Sequence, residues 1–178
     1  MENLEELSRR VFRLFSEQWG LVTVGTPERC NACTVSWGSL GTLWTGPGLS
    51  GAVATVYLHP ARYTCELLRQ SDTFTLSFFP ESCRPALAWL GSHSGRDGDK
   101  MAACGLTPEP LGEGVGYAEA SLTLLCRKLY QHPFEREALD PRVQDYYKSK
   151  PQVYPPDEQG QWQPHWVFVG EILQIRQS

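Results

Sequence analysis

Tyr117-Ala-Glu-Ala-Ser-Leu-Thr-Leu-Leu-Cys-Arg-Lys-Leu-Tyr130 is the stretch whose reading decides the fold. Ala118, Ala120, Leu122, Leu124 and Cys126 fall on alternate positions, the period of a strand with one buried face. It is far longer than the roughly five or six residues of an ordinary strand, and a strand of that length has to curl, as strands do around a barrel. Upstream, Asp72-Thr-Phe-Thr-Leu-Ser-Phe-Phe-Pro80 alternates in the same way, with Phe74, Leu76 and Phe78 on one face and Thr73, Thr75 and Ser77 on the other. Downstream, His165 to Ile175 reads as an apolar terminal strand.

The remaining elements fit around these strands. Gly20 to Gly25 and Asn31 to Trp37 are strand-like and flank the turn Thr26-Pro-Glu-Arg29, so they predict a hairpin. In the second arm, Ala32, Thr34 and Ser36 share one face, and Asn31, Cys33, Val35 and Trp37 share the other. Ala52 to Leu58 is almost continuously apolar, as expected of a strand buried on both faces. Gly38 to Trp44 and Thr45 to Gly51 read as a bend and a long turn, and Thr107 to Gly114 as a connector. Helical spacing marks Glu2 to Gln18 through Leu4, Leu7, Val11, Leu14 and Phe15, and helices are also predicted at Ala61 to Gln70, Glu81 to Leu90 and Asp99 to Cys104. The stretch 133–164, rich in proline and tyrosine, reads as an excursion with a helix near Asp140 to Lys150. Six to eight strands with short helices between them predict a mainly β, closed or partly closed barrel, in one domain spanning residues 1–178 with an N-terminal helix at 1–19. No strict βαβ alternation occurs, and no G-x-G-x-x-G follows a strand, which disfavours a Rossmann domain.

Composition narrows the function classes. A net charge of −4 without a basic face argues against a general nucleic-acid binder. No apolar run approaches the roughly 18 residues of a membrane span, and the acidic start is unlike a signal peptide, so a cytoplasmic protein is expected. The six cysteines are scattered through apolar segments and read as reduced thiols. Cys30-Asn-Ala-Cys33 has redox or zinc spacing, but no second Cys/His pair follows it, so no metal is expected.

Two stretches could carry chemistry. Gly91-Ser-His-Ser-Gly-Arg-Asp-Gly-Asp-Lys100 contains no large apolar side chain and many donors for anionic oxygen; it is either a solvated loop or a site for phosphate. Arg62, Tyr63 and Thr64 fall at the start of a helix that follows a strand, where free backbone N–H groups gather; most such termini bind only water or a cap.

Taken together, Asn31-Ala-Cys-Thr-Val-Ser-Trp-Gly-Ser-Leu-Gly41, Pro60-Ala-Arg-Tyr-Thr64, Thr75-Leu-Ser-Phe-Phe79 and Gly91 to Lys100 followed by Gly105-Leu-Thr-Pro108 resemble the flavin reductase family in content and order. The resemblance runs from about Leu21 to Ile175 and extends to Glu119 to Leu129 and His165 to Ile175. It implies an FMN-binding split β-barrel with Greek-key connections, a homodimer, and hydride transfer from NADH or NADPH to flavin and on to an acceptor. Asn31, Ala32, Thr34, Ser36 and Trp37 would line the flavin, and Arg62, Tyr63 and Thr64 would flank its phosphate or ribityl chain. Ser77 would face it from a neighbouring strand, while Ser92, His93, Ser94, Arg96 and Lys100 would close over it. His93 is the one candidate for a proton donor. Where Cys33 stands, the family commonly carries methionine or a similar apolar residue. Two other readings stay open: a flavoredoxin-like electron carrier with a redox partner protein, and a non-enzymatic flavin-binding dimer.

Overall fold

The computed structural model describes residues 11–178, and in them the alternating segments become strands. These are β1 (Gly20–Thr26), β2 (Arg29–Val35), β3 (Gly38–Thr42), β4 (Ala52–Leu58), β5 (Thr73–Phe78), β6 (Pro108–Leu111), β7 (Gly114–Tyr117), β8 (Leu122–Pro133) and β9 (Trp166–Gln177). Three α-helices join them, α1 (Tyr63–Gln70), α2 (Arg84–Ser92) and α3 (Pro141–Lys148). Of the predicted N-terminal helix, the part with Leu4 and Leu7 lies outside the described residues. The part from Val11 is helical, passing into a π turn over Leu14–Gln18 that buries Phe15.

Seven strands form one antiparallel sheet in the order β2-β1-β5-β8-β9-β4-β3. Its two edges, β2 and β3, are consecutive in the chain and separated only by Ser36 and Trp37. Laid flat, seven strands would put those edges roughly 29 Å apart. The link spans about 10 Å. The sheet therefore curls until its edges approach, giving a barrel split between β2 and β3. β8 and β9 bend around it with register shifts at Leu125/Cys126 and Lys128/Tyr130.

The strand faces read from the alternation hold. Phe74, Leu76 and Phe78 point into the barrel with Val22, Val24, Cys33, Val35, Val56, Leu124, Cys126 and Phe168. Gly170 on β9 lets this core close. A Cβ there would lie 2.6 Å from Phe74 Cε1 and 2.8 Å from Cys126 Cβ, with no flexible side-chain tip to give way. Gly170→Ala is expected to lower unfolding stability by about 2 kcal/mol, read as a lower urea midpoint at unchanged slope.

Outside the barrel, α2, β6–β7 and the turn after Lys100 cover a second apolar cluster that includes Leu21, Ala32, Leu87, Leu90, Val115 and Tyr117. The hydroxyls of β1 and β5 serve this layer. Thr23 Oγ1 lies 2.9 Å from the Tyr117 hydroxyl, Thr75 Oγ1 donates to the Val115 carbonyl at 2.6 Å, and Ser77 Oγ lies 3.1 Å from Thr123 Oγ1. The seam is buried, and it satisfies polar groups between two layers.

Four local readings change. The stretch from Tyr117 to Tyr130 is two strands, because Ala120 N–H turns back to the Tyr117 carbonyl and Glu119 is held by the N–H and hydroxyl of Thr107. The connector 107–114 is β6 and the turn into its partner β7, and the bend after Trp37 is β3, in register with β4 from Gly38↔Val56 to Thr42↔Ala52. Asp99 to Cys104 forms turns where a helix was expected. Asp99 Oδ1 caps the N–H groups of Met101 and Ala102, and Gly105 follows with φ +76°. Cys30 and Cys33, three apart on a strand, fall on opposite faces. Cys33 joins the barrel core, and Cys30 packs on the outer cluster.

Candidate functional site

The split in the barrel is where the chemistry collects. The end of β2 leads into Ser36 and Trp37, the end of β4 into His59, and the start of α1 carries Arg62, while His165 immediately precedes β9. Register explains the meeting: Leu58 of β4 pairs with Trp166 of β9, so His59 and His165 leave adjacent strand ends side by side, with ring centroids 5.4 Å apart. A slot of about 130 Å³ opens there, lined by Trp37, Tyr57, His59, Arg62, Tyr154 and His165 among others.

The excursion between β8 and β9 folds back over this slot. Trp37 packs against Tyr146, Tyr154 and His165, with its closest centroid distance, 4.7 Å, to His165. Two hydrogen-bonded histidines tether it. His59 Nδ1 accepts from the Ala61 N–H at 3.2 Å, so its proton resides on Nε2, which donates to the Gln163 carbonyl at 3.1 Å. The Tyr147 hydroxyl accepts from the His165 backbone N–H at 3.3 Å and lies 2.6 Å from His165 Nδ1. The other ring nitrogen of His165, Nε2, has no hydrogen-bond partner among the described residues. Burial pushes the pKa of His59 down to about 4 and that of His165 down to about 3, the neighbouring His59 and Arg62 adding to the fall at His165. Both rings are neutral at pH 7.

Next to the slot, a pocket of about 40 Å³ is lined by Cys33, Arg62, Tyr63, Thr64, Ser94 and Lys100 among others. Lys100 is 7% exposed, and its Nζ donates to the carbonyls of Leu90 and His93, each at 3.0 Å. Arg62 Nη1 donates to the Gly91 carbonyl at 3.2 Å. These bonds cap the C-terminal end of α2, where unpaired carbonyls carry partial negative charge. Neither cation has a carboxylate partner among the described residues, and Asp99 spends its Oδ1 on its own turn. Burial, with Arg62 adding like charge, lowers the Lys100 pKa. The N–H groups of Tyr63 and Thr64, at the start of α1, take no acceptor among the described residues. Arg62, Tyr63, Thr64 and Lys100 thus line one small cavity, two of them cations without a carboxylate partner among the described residues, an arrangement whose charge an anionic oxygen would balance.

Gly95 makes the loop's close approach possible. A Cβ there would lie 2.1 Å from Asn31 Oδ1 and 3.1 Å from the Tyr63 ring. Asn31 is fixed in turn, its Nδ2 donating to Thr64 Oγ1 at 2.7 Å.

The residues singled out from the sequence divide accordingly. Thr34, Ser36, Trp37, Arg62, Tyr63, Thr64, Ser94 and Lys100 line the two adjoining cavities, with His93 at the rim of the smaller. Asn31 supports them through Thr64. Ala32 is buried in the outer cluster, and Ser77 is committed to Thr123 in the buried seam, so neither lines the two cavities. Thr34 Oγ1 donates to the Leu87 carbonyl at 2.5 Å. Ser92 Oγ hydrogen-bonds back into α2, and the His93 ring stacks on Trp89 with centroids 3.5 Å apart, exposed to solvent. Arg96 turns outward, pairing with Glu66 at 2.6 Å and donating to the Ala61 carbonyl. Cys33, read as pointing away, borders both cavities from the core side. His59, Tyr147, Tyr154 and His165 escaped the sequence reading, because strand pairing brings the two histidines together and the fold-back of the excursion brings the tyrosines to them.

Comparison with known proteins agrees with this architecture. A family model described as "Flavin reductase like domain" matches residues 12–178. Among solved structures, an FMN-binding protein from Thermus thermophilus with bound p-hydroxybenzaldehyde is similar at TM-score 0.64 and 24% identity, over 90% of this chain and 71% of that one. A flavoredoxin from Methanosarcina acetivorans is similar at TM-score 0.61 and 17% identity, over 90% and 68% of the two chains. The Streptomyces globisporus NADH:FAD oxidoreductase, in complex with NAD and FAD fragments, is similar at TM-score 0.62 and 16% identity, over 98% and 83%. At these identities the likeness is one of fold. No curated protein sequence matches the chain.

Proposed function

The chain belongs to the flavin reductase-like domain family, and from that premise we propose that it is an FMN-dependent oxidoreductase that takes hydride from NADH or NADPH and passes the electrons to an acceptor. The observation that carries this reading is the buried Lys100 beside Arg62, both without carboxylate partners among the described residues, lining one cavity with Tyr63 and Thr64 at the start of α1. That donor set fits a phosphate monoester, and the adjoining slot beside Trp37 fits the edge of a planar ring. When bound, the flavin supplies the redox chemistry, accepting hydride and releasing electrons to the acceptor.

The protein's own residues supply position and exclusion of water. Lys100 and Arg62 hold the phosphate end, Trp37 and Tyr154 wall the ring end, and the tethered excursion narrows access to it. His165 lines the slot with a neutral ring whose Nε2 has no partner among the described residues, a hydrogen-bonding group for a ring oxygen or nitrogen. Leu43, Trp44 and Leu49, between β3 and β4, are exposed large apolar side chains of the kind a second copy would cover, which supports a homodimer. Sedimentation of the purified protein at twice the chain mass is the expected result.

The functional test is anaerobic mixing of protein and FMN with NADH, and separately with NADPH. Bleaching of the visible flavin band with at least one donor is expected. Absence of bleaching with both would sink the enzymatic reading. A yellow protein that ignores nicotinamide and accepts electrons from a separate reductase would point to a carrier, for which the tyrosine-rich excursion is the natural docking face.

A further inference from the structure

Tyr146, Tyr147, Tyr154 and Trp162 of the excursion do more than narrow the ring slot. With Trp37 they form a continuous aromatic series that leads from the slot to the surface. Between ring centroids, Trp37 lies 6.3 Å from Tyr154, Tyr154 lies 5.2 Å from Tyr147, and Tyr147 stacks on Trp162 at 5.6 Å with the planes 20° apart. Every step falls within the roughly 4.5–7 Å of rings in contact. Trp37 and Tyr154 line the slot, and the half-buried Trp162 is the outer end. No phenylalanine interrupts this series, so each member is a ring that can give up one electron. Other aromatic contacts are built differently: Tyr57 stacks on Phe134, and Phe79 meets Tyr117.

Charge selects a route through the rings. Tyr146 offers a parallel branch, 6.0 Å from Trp37 and 5.9 Å from Tyr147, but Lys150 Nζ lies 3.9 Å from its centroid. A cation so placed opposes loss of an electron from the ring. Among the described residues no cation lies over Tyr147 or Tyr154, whereas Arg136 and Lys148 each lie 5.7 Å from the Trp162 centroid. Tyr154 and Tyr147 are therefore where an oxidising equivalent rests. A phenol gives up its proton with its electron, and both hydroxyls have a neighbour for it. That of Tyr154 lies 3.2 Å from the Tyr146 hydroxyl, and that of Tyr147 lies 2.6 Å from His165 Nδ1.

We propose that Trp37, Tyr154, Tyr147 and Trp162 carry single oxidising equivalents from the slot to the surface, where a thiol of the glutathione class discharges them. An oxygen-centred radical, formed where a reduced cofactor meets dioxygen, takes one electron and the indole proton from Trp37 and leaves as its hydroxyl form. Trp37 regains both from Tyr154, Tyr154 from Tyr147, and Tyr147 by way of Trp162 from the thiol, which becomes a thiyl radical. The chain is unchanged over the cycle. Only the source of the radical rests on the flavin reading; the path is a property of the chain itself.

The test uses the purified chain without flavin, and the flavin reading is judged separately by the bleaching experiment. Azide radicals made by pulse radiolysis oxidise accessible indoles by one electron. In wild type, indolyl absorption is expected to decay into phenoxyl absorption in a first-order step whose rate does not depend on protein concentration. Tyr147→Phe and Trp162→Phe each keep a ring in place and are expected to cut the amplitude of that step about threefold or more, and the double variant to lose no more than either alone, because both interrupt one path. Tyr130→Phe, at an exposed ring outside the series, leaves the amplitude unchanged. The same proteins then take repeated pulses with glutathione present, and oxidised residues are mapped by mass spectrometry. Oxidation of Trp37 is expected to rise at least threefold in Tyr147→Phe; should that variant unfold, Trp162→Phe carries both measurements. No first-order step in wild type, a rate proportional to protein concentration, or Trp37 oxidation equal in wild type and variant would overturn the proposal and leave the rings as packing alone.

Discussion

Lys100→Ala is expected to weaken FMN binding about 100-fold and riboflavin binding less than about threefold, measured by quenching of flavin fluorescence on titration. The difference arises because only FMN has a phosphate. A charge-assisted hydrogen bond from a buried ammonium contributes about 2–3 kcal/mol, which corresponds to a factor of roughly 30 to 150 in affinity. Lys100 also caps the last carbonyls of α2, so its removal could loosen the loop around Gly95. The riboflavin arm separates the two roles. A loosened loop weakens both ligands alike, and equal losses would remove the phosphate assignment. Arg62→Ala is expected to follow the same pattern with a smaller loss, because Arg62 is only half-buried. Arg96→Ala should change FMN affinity by less than about threefold, since its guanidinium is already paired with Glu66 at the surface.

A steep loss of stability between pH 6.5 and 4.5 is the second large effect. His59 and His165 are neutral in the folded state, with pKa values lowered to about 4 and about 3, and both regain an ordinary value near 6.5 on unfolding. Below pH 6.5 the unfolded chain therefore binds protons that the folded chain does not. Stability falls as pH falls, and continues to fall until the folded rings titrate. Each buried ring contributes on the order of 2 kcal/mol of this loss at pH 4.5. Thermal melts across that range should show His59→Gln and His165→Gln each with a shallower decline than wild type. Slopes identical to wild type in both variants would mean that other groups govern the acid limb. Because His59 and His165 hold Gln163 and Tyr147, the excursion is the part expected to release first, read as a rise in fluorescence or proteolytic cleavage near Trp162 before global melting.

The alternation of Phe74, Leu76 and Phe78, and of Leu122, Leu124 and Cys126, was legible in the sequence because a strand's side chains repeat every two residues whatever surrounds them. The mixed Gly, Ser and Lys content of 91–100 likewise marked a segment that could not enter the core. Hydroxyls were less informative. Those of Thr75 and Ser77 looked like a ligand-facing surface, yet they sit under β6–β7 and next to Thr123, because a hydroxyl serves an inter-layer seam as readily as a cofactor and alternation says nothing about what covers a face. The loop's two cations looked equivalent too. Only the position of Glu66 on α1 and of the carbonyls of Leu90 and His93 sends Arg96 outward and Lys100 inward.

By itself, then, the sequence determined the strand faces, most of the helices and the four ordered blocks that resemble flavin reductases, all of which depend on neighbours close along the chain. The tertiary structure alone decided the closure of the sheet between β2 and β3, the pairing of His59 with His165, the folding of the excursion over Trp37 and the two adjoining cavities that share Cys33 and Arg62. The physical reason is register. Leu58↔Trp166 and the short Ser36-Trp37 link join residues far apart in sequence or on opposite sheet edges, and no local periodicity encodes which strand ends will meet.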